Sequence, residues 1–80
     1  MPNPSSKRQS RELVALGSAI REFRIAKGIS QEQLALQAEV DRSYVGRVER
    51  GDNNVAILTL AKIAKALGLP THKLLQKAKL

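Results

Sequence analysis

The segment between Asp41 and Gly51 holds the side chains whose types and spacing have the clearest chemistry in this chain. On helical periodicity its polar residues share one side, while its valines share the other side with Glu49. An arginine offers a planar fork that matches O6 and N7 of guanine, and a serine hydroxyl can donate or accept a hydrogen bond. Arg47 and Arg50 alone would equally suit a solvated surface, but their grouping with Arg42 on one helical side favours contact with nucleic acid.

The overall charge also favours a polyanionic partner. The chain carries 14 Lys and Arg against 7 Asp and Glu, a net charge of +7 at pH 7, and a pI near 10.4. Such a field attracts nucleic acid or anionic lipid. Aromatic residues make up 2% of the chain, too few for the stacking platforms that readers of single strands usually need. Duplex DNA is therefore favoured over RNA.

The composition gives little support to an enzyme or a metalloprotein. The chain has no cysteine and a single histidine, His72, which is the one candidate imidazole base for its serines. We see no phosphate-binding glycine loop and no acidic metal cluster. The sequence therefore predicts a non-enzyme without metal or cofactor. It shows neither a signal peptide nor an apolar run long enough to cross a membrane, and a cytoplasmic protein is expected.

Cap signals divide the first part of the chain into three helices, which position this segment. Ser10 begins helix 1, whose apolar residues recur at helical spacing until Gly28. A capping box at Ser30 begins a short helix 2. Asp41 begins helix 3, and Gly51 ends it.

The remaining residues predict a loop and two further helices. The polar run 51–54 indicates the loop, and an apolar stripe that starts at Ile57 and stops at Gly68 predicts helix 4. Asn54 is expected to cap helix 4, because Ala56 cannot. Pro70 stands at the start of a last helix.

These elements predict an all-α fold in a single domain. No strand-like alternation appears along the chain, and 80 residues leave room for one domain only. Residues 1–9 are interpreted as a flexible basic arm that carries Lys7 and Arg8, with a disordered leader as the alternative. Residues 10–80 are expected to form the folded domain.

The string QEQLALQAEVDRSYVGRVERG at residues 31–51 resembles the helix-turn-helix of the phage repressor and Cro family (Xre-like). Helices 1, 4 and 5 extend the similarity to nearly the whole chain after the arm. Within it, DRSYVGRVERG followed by DNNV is similar to the controller proteins of restriction-modification systems, which are small dimeric regulators. The resemblance implies a compact five-helix, lambda-repressor-like domain that regulates transcription, with the helix-turn-helix at helices 2 and 3.

The resemblance also assigns roles to particular side chains. In the family the second helix of the motif lies in the major groove, and its base-reading positions correspond here to Arg42, Ser43 and Arg47. Tyr44 flanks them and is suited to a thymine methyl, a phosphate or a contact within its own helix. Helical periodicity places Gly46 on the same outward side, where it lets the helix approach the bases, with a harmless surface glycine as the alternative.

Other matched positions concern the DNA backbone and the turn. Gln31 corresponds to a family residue that binds a phosphate, for which simple capping is the alternative. Arg24 and Glu49 match a partly buried salt bridge. Glu39 stands where the family usually has Gly or Asn, so a left-handed backbone there would be strained by roughly 1 kcal/mol. Three further residues are candidates for backbone contacts, or for turn formation and solvated charge: Asn53, Asn54 and Arg50.

Apolar residues near the C-terminal end are candidates for a dimer interface. Repressor-type proteins pair about a two-fold axis and bind two half-sites of an operator. The candidates are Leu69, Leu74, Leu75 and Leu80, with a place in the monomer core as the alternative for the first two. Within the family, the residues leave open a controller, a phage-type repressor and an antitoxin-like regulator, and they do not address contact with RNA polymerase. A helix-turn-helix-derived protein-interaction adaptor is the alternative outside DNA binding, and a basic amphipathic membrane binder is less well supported.

Overall fold

A computed structural model describes residues 9–80 of the chain. This part consists of five α-helices and contains no strand, so the predicted all-α fold is confirmed. The predicted arm, residues 1–9, lies outside the described residues except for Gln9. The helices are α1 (Arg11–Lys27), α2 (Gln31–Ala38), α3 (Arg42–Arg50), α4 (Ile57–Ala66) and α5 (Thr71–Lys77).

The first two helices begin at the predicted caps. The Leu13 amide donates to the Ser10 hydroxyl over 3.2 Å at the start of α1. At the start of α2 the Gln33 amide donates to the Ser30 hydroxyl over 3.0 Å, and the Ser30 amide donates to the Gln33 side chain over 2.8 Å. Each bond satisfies an amide that the helix itself leaves unpaired, which explains why sequence signals located these two boundaries well.

The starts of α3 and α4 differ from the first two helices. Asp41 is the N-cap of α3 and Ala56 is the N-cap of α4, but neither side chain makes a capping hydrogen bond. The expectation that Asn54 caps α4 is therefore wrong, because Ala56 occupies the cap position. The two helices depend on burial of their apolar sides more than on their caps.

The core lies between the helices, with α1 packed against α3 and α5, and α2 packed against α3 and α4. Most of the predicted apolar stripes are buried, but Ile57 is 63% exposed and does not belong to the core stripe of α4. The largest fully buried side chains are Ile20, Leu34, Ile63, Leu74, Val45 and Val48.

The burial of Leu74 contradicts one predicted dimer contact. Its side chain is 0% exposed and belongs to the core of the chain itself. A residue without accessible surface cannot contact a second copy, so its assignment to a dimer interface is wrong. Leu69 and Leu75 are half-buried against the same core, and Leu80 is 55% exposed.

The turn between α2 and α3 has the left-handed residue that the sequence predicts. Glu39 adopts φ 61° and ψ 44° and forms the C-cap of α2. Its amide donates to the carbonyl of Leu36 over 3.3 Å, and the Val40 amide donates to the carbonyl of Ala35 over 3.0 Å. These bonds satisfy carbonyls at the end of α2 and offset part of the strain of a side chain at positive φ.

Candidate nucleic-acid interface

One face of α3 is open to solvent and carries most of the predicted base-contacting residues. Arg42, Ser43 and Arg47 are exposed. Tyr44 is half-buried and packs against the core, and the Arg47 guanidinium carbon lies 5.8 Å from the centroid of its ring. The Tyr44 ring thus stabilises the position of the Arg47 guanidinium by a cation–π interaction.

The opposite face of α3 fixes the rotation of the helix about its axis. Val45 and Val48 are fully buried, and Glu49 is buried with them. Turning α3 enough to hide its arginines would expose both valines, at a cost of about 1.5–3 kcal/mol for each side chain. The exposure of the arginine face is therefore a consequence of the core.

The Glu49 carboxylate is the centre of a buried polar cluster that joins three helices. Arg24 Nε lies 2.6 Å from Glu49 Oε2, and Arg24 Nη2 donates to Oε1 over 3.1 Å. Gln31 Nε2 also donates to Oε1, over 3.0 Å. Arg24 Nη1 donates to the carbonyl of Ile29 over 2.9 Å. The ion pair expected between Arg24 and Glu49 is thus present, and it ties α3 to α1 and to the start of α2.

Gln31 is engaged in this cluster at the first position of α2. Its side-chain amide gives one hydrogen to Glu49, and an amide group has a second hydrogen that can still donate to a phosphate. The side chain is half-buried at the point where α2 meets α3. Its orientation is therefore set by the protein, and a role in the cluster is compatible with the predicted backbone contact.

Gly46 lies under two polar side chains, which differs from the expected place on the open outward side. The residue is buried, and a Cβ built on it would stand 3.3 Å from Arg50 Nη1 and 3.7 Å from Gln31 Oε1. Arg50 therefore folds back across the helix over Gly46. The sequence pattern could not show this, because helical periodicity places the Cβ atoms and not the ends of long side chains.

The turn after α3 brings Arg50 together with Asp52 and Gln9, two residues that the sequence pattern did not indicate. Arg50 Nε donates to Asp52 Oδ2 over 3.1 Å, and Gln9 Nε2 donates to Asp52 Oδ1 over 2.5 Å. The backbone amide of Gln9 also donates to the carbonyl of Gly51 over 2.6 Å. Gln9 and Asp52 are separated by 43 positions, so no local signal could have paired them. Of the predicted backbone contacts in this region, Asn53 is half-buried and Asn54 is exposed.

Residues 9–80 contain neither a candidate membrane span nor a candidate metal site. None of the helices there combines the length and the apolar character that a membrane span requires. That part of the chain also has no group of three or more histidine, cysteine, aspartate or glutamate side chains suited to a metal ion.

Comparison with known proteins places this architecture in a family. The Helix-turn-helix family HTH_3 matches residues 20–74, more than half of the chain. The "Neisseria hypothetical transcription factor" of Neisseria meningitidis is 48% identical over 56 residues, which are 70% of this chain and 53% of that relative. The chain thus matches about half the length of that protein. Control protein C.BamHI of Bacillus amyloliquefaciens is 40% identical over 60 residues, 74% of each chain.

A solved structure agrees with these matches. The crystal structure of the restriction-modification controller protein C.AhdI from Aeromonas hydrophila superimposes with a TM-score of 0.80 and 48% sequence identity, over 81% of this chain and 98% of that chain. The fold and the resemblance that the sequence predicts are therefore confirmed. The chain belongs to the helix-turn-helix family HTH_3 of transcription regulators, in which it is close to the restriction-modification controller proteins.

Proposed function

We propose that α3 lies in the major groove of an operator and reads base edges with Arg42, Ser43 and Arg47. The observation that carries this proposal is the single exposed face of α3, on which these side chains stand while the opposite face is locked into the core. A bidentate arginine–guanine contact contributes about 1–3 kcal/mol of discrimination against a wrong base. Tyr44 supports Arg47 and borders the same surface.

Residues beside the middle of α3 and at its C-terminal end are proposed to contact the DNA backbone. Gln31 is adjacent to the helix through Gly46, and Asn53 follows the helix within three positions. Arg50 lies between these two regions, and Asn54 extends the contact surface. Contacts with phosphates fix the position of the protein on DNA, whereas contacts with base edges supply the sequence preference. The basic arm at residues 1–9 is proposed to add sequence-independent attraction to the DNA backbone through the charges of Lys7 and Arg8.

The chain is further proposed to act as a homodimer on a two-fold symmetric site. One α3 can span only a few base pairs, and two copies related by a two-fold axis would read half-sites about one helical turn apart. The apolar surface for this contact is assigned to the exposed Leu80 and to the half-buried Leu69 and Leu75.

The relatives support a controller-type regulator that works by binding and not by catalysis. C.BamHI is a control protein, and C.AhdI is a restriction-modification controller protein. We extend that role to this chain, with a phage-type repressor as the nearest alternative. Its expected place is the cytoplasm, in association with the nucleoid.

Selection of binding sites from random DNA duplexes tests the proposal. The wild-type chain is expected to enrich a two-fold symmetric site that contains guanine in each half. Arg42→Ala and Arg47→Ala are each expected to relax the base preference at one position per half-site. Each should lower the free energy of binding to the selected site by about 1–3 kcal/mol. Lys73→Ala, which removes a charge from an exposed position of α5, is the matched control and should leave the selected sequence unchanged.

Salt dependence separates this function from its alternative. If the chain binds duplexes only through salt-sensitive attraction and enriches no sequence, base reading by α3 is wrong. The protein-interaction adaptor would then be preferred. It is less well supported by the structure, because an adaptor surface would present apolar anchors, and the exposed residues of α3 are Arg42, Ser43, Arg47 and Arg50.

A further inference from the structure

The Arg50 guanidinium is bound by the Asp52 carboxylate and lies in the space that Gly46 leaves open, although the side chain is largely exposed. Its Nε donates to Asp52 Oδ2 over 3.1 Å, and its Nη1 lies over Gly46, where a Cβ would be only 3.3 Å away. A free arginine at the end of a helix would sample many rotamers. This one lies back along α3, with its guanidinium beside Gly46.

The position of Asp52 is itself fixed by the backbone. Its amide donates to the carbonyl of Arg47 over 2.9 Å, immediately after the left-handed residue Gly51. A Cβ on Gly51 would stand 2.9 Å from the side chain of Val14, so this turn sits tightly against α1. Gln9 donates to the other carboxylate oxygen of Asp52. The carboxylate therefore has a defined place from which to orient Arg50.

We propose that Asp52 is a positioning residue that sets the Arg50 guanidinium for one phosphate of the DNA backbone, and that Gly46 leaves the space for it. The proposal rests on the proposed function and adds to it the residues that arrange one backbone contact. The arginine Nε is bound by the carboxylate, and the two terminal nitrogens retain hydrogens that can donate to phosphate oxygens. An arginine that is ordered before binding loses less conformational entropy when it forms that contact.

The charge of Asp52 allows an experiment to distinguish positioning of Arg50 from simple repulsion between the carboxylate and the phosphates. A carboxylate beside a phosphate repels it, so its removal would strengthen binding to every duplex if charge were its whole effect. Positioning has the opposite consequence at the operator. There the loss of the carboxylate frees Arg50 and weakens the contact, whereas binding to random duplexes, for which any rotamer suffices, is unchanged or stronger.

The experiment compares Asp52→Asn with Asp41→Asn in the full chain. Asp41 is exposed at the other end of α3 and makes no side-chain capping hydrogen bond, so it offers the same change of charge without a positioning contact. The probes are the operator found by selection and a random duplex of equal length, at one salt concentration. We expect Asp52→Asn to lower operator affinity by about threefold to tenfold, the effect of ordering one flexible side chain. Asp41→Asn should raise affinity for both duplexes.

Gly46→Ala provides a second variant that keeps every charge. The added methyl group raises helix propensity, but it would stand 3.3 Å from Arg50 Nη1, so the guanidinium must shift by a few tenths of an ångström. The variant is expected to melt at the same temperature as the wild type or higher and to lose affinity for the operator. The losses of operator affinity caused by Asp52→Asn and by Gly46→Ala should both vanish in an Arg50→Ala background, because each acts through Arg50.

The outcomes distinguish this proposal from the function on which it rests. If the wild type prefers the operator and Asp52→Asn tightens binding as Asp41→Asn does, positioning by Asp52 is overturned while base reading by α3 stands. A loss of affinity that persists in the Arg50→Ala background overturns it as well. If the wild type shows no preference for any duplex, the proposed function fails first and this proposal fails with it.

Discussion

The side chain of Glu49 is 2% exposed, and its carboxylate accepts three hydrogen bonds, two from Arg24 and one from Gln31. Replacement by alanine would leave the guanidinium of Arg24, whose side chain is only 12% exposed, without its partner charge. Breaking a buried pair from one side costs about 3–5 kcal/mol. We therefore expect Glu49→Ala to lower the free energy of unfolding by that amount, measured in urea titrations followed by circular dichroism.

An exposed ion pair in the same protein is the control. Lys77 Nζ lies 3.3 Å from Glu22 Oε1, and the two side chains are 46% and 62% exposed. Pairs of this kind contribute about 0–1 kcal/mol, since water screens them. Glu22→Ala should therefore change stability little. Equal losses for the two variants would mean that burial does not strengthen the Glu49 cluster.

For single residues, prediction from the sequence succeeded where the type and position of one residue were enough to show what it requires of its surroundings. Glu49 falls on an apolar helical side, so its demand for a partner was visible, and Glu39 stands in a turn that needs positive φ. The link between Gln9 and Asp52 was not visible, because it joins positions that are 43 residues apart. Its geometry depends on how α1 packs beside the end of α3.

The crossing of α1 and α3 depends on Gly17, which is buried in the middle of α1. A Cβ at this position would stand 2.3 Å from the carbonyl oxygen of Val48 and 2.6 Å from that of Glu49. Since both are backbone atoms, the helices would have to separate. Despite the better helix propensity of alanine, Gly17→Ala is expected to cost about 1–3 kcal/mol, the range for overpacked cores, in thermal or urea unfolding.

The neighbouring position gives the control for this substitution. Ser18 is exposed on the same helix, so Ser18→Ala changes helix propensity without adding a contact. It should leave stability equal or slightly higher. A Gly17→Ala chain as stable as Ser18→Ala would show that α1 and α3 do not approach as closely as described.

For the helices, the sequence predicted where they begin and end better than it predicted how they pack against one another. Caps and left-handed glycines are local, and those at Ser10, Gly28, Ser30 and Gly51 all lie where the pattern indicated. Gly17 carries no local signal, since a glycine inside a helix looks merely unfavourable until the neighbouring backbone is known. The end of α4 shows the same limit: Gly68 marks the turn, but the helix stops at Ala66.

For the molecule as a whole, the pattern could not divide apolar residues between the core and a second copy. Leu74 and Leu80 have the same chemistry, yet one is 0% and the other 55% exposed. The difference arises because α5 packs against both α1 and α4, and Leu74 faces them. The predicted dimer surface is thereby reduced to Leu69, Leu75 and Leu80.

The proposed homodimer predicts a stability that depends on protein concentration. Association favours the folded state by mass action, so the melting temperature of the wild type should rise with concentration, and sedimentation velocity should show a dimer. Leu80→Ser removes apolar surface from both copies of a two-fold interface and is expected to raise the dissociation constant about tenfold or more. Leu36→Ser makes the same change on α2, where the side chain is 75% exposed, and should leave the dimer intact. If Leu36→Ser dissociates the dimer and Leu80→Ser does not, the two-fold interface lies on α2, away from the C-terminal leucines.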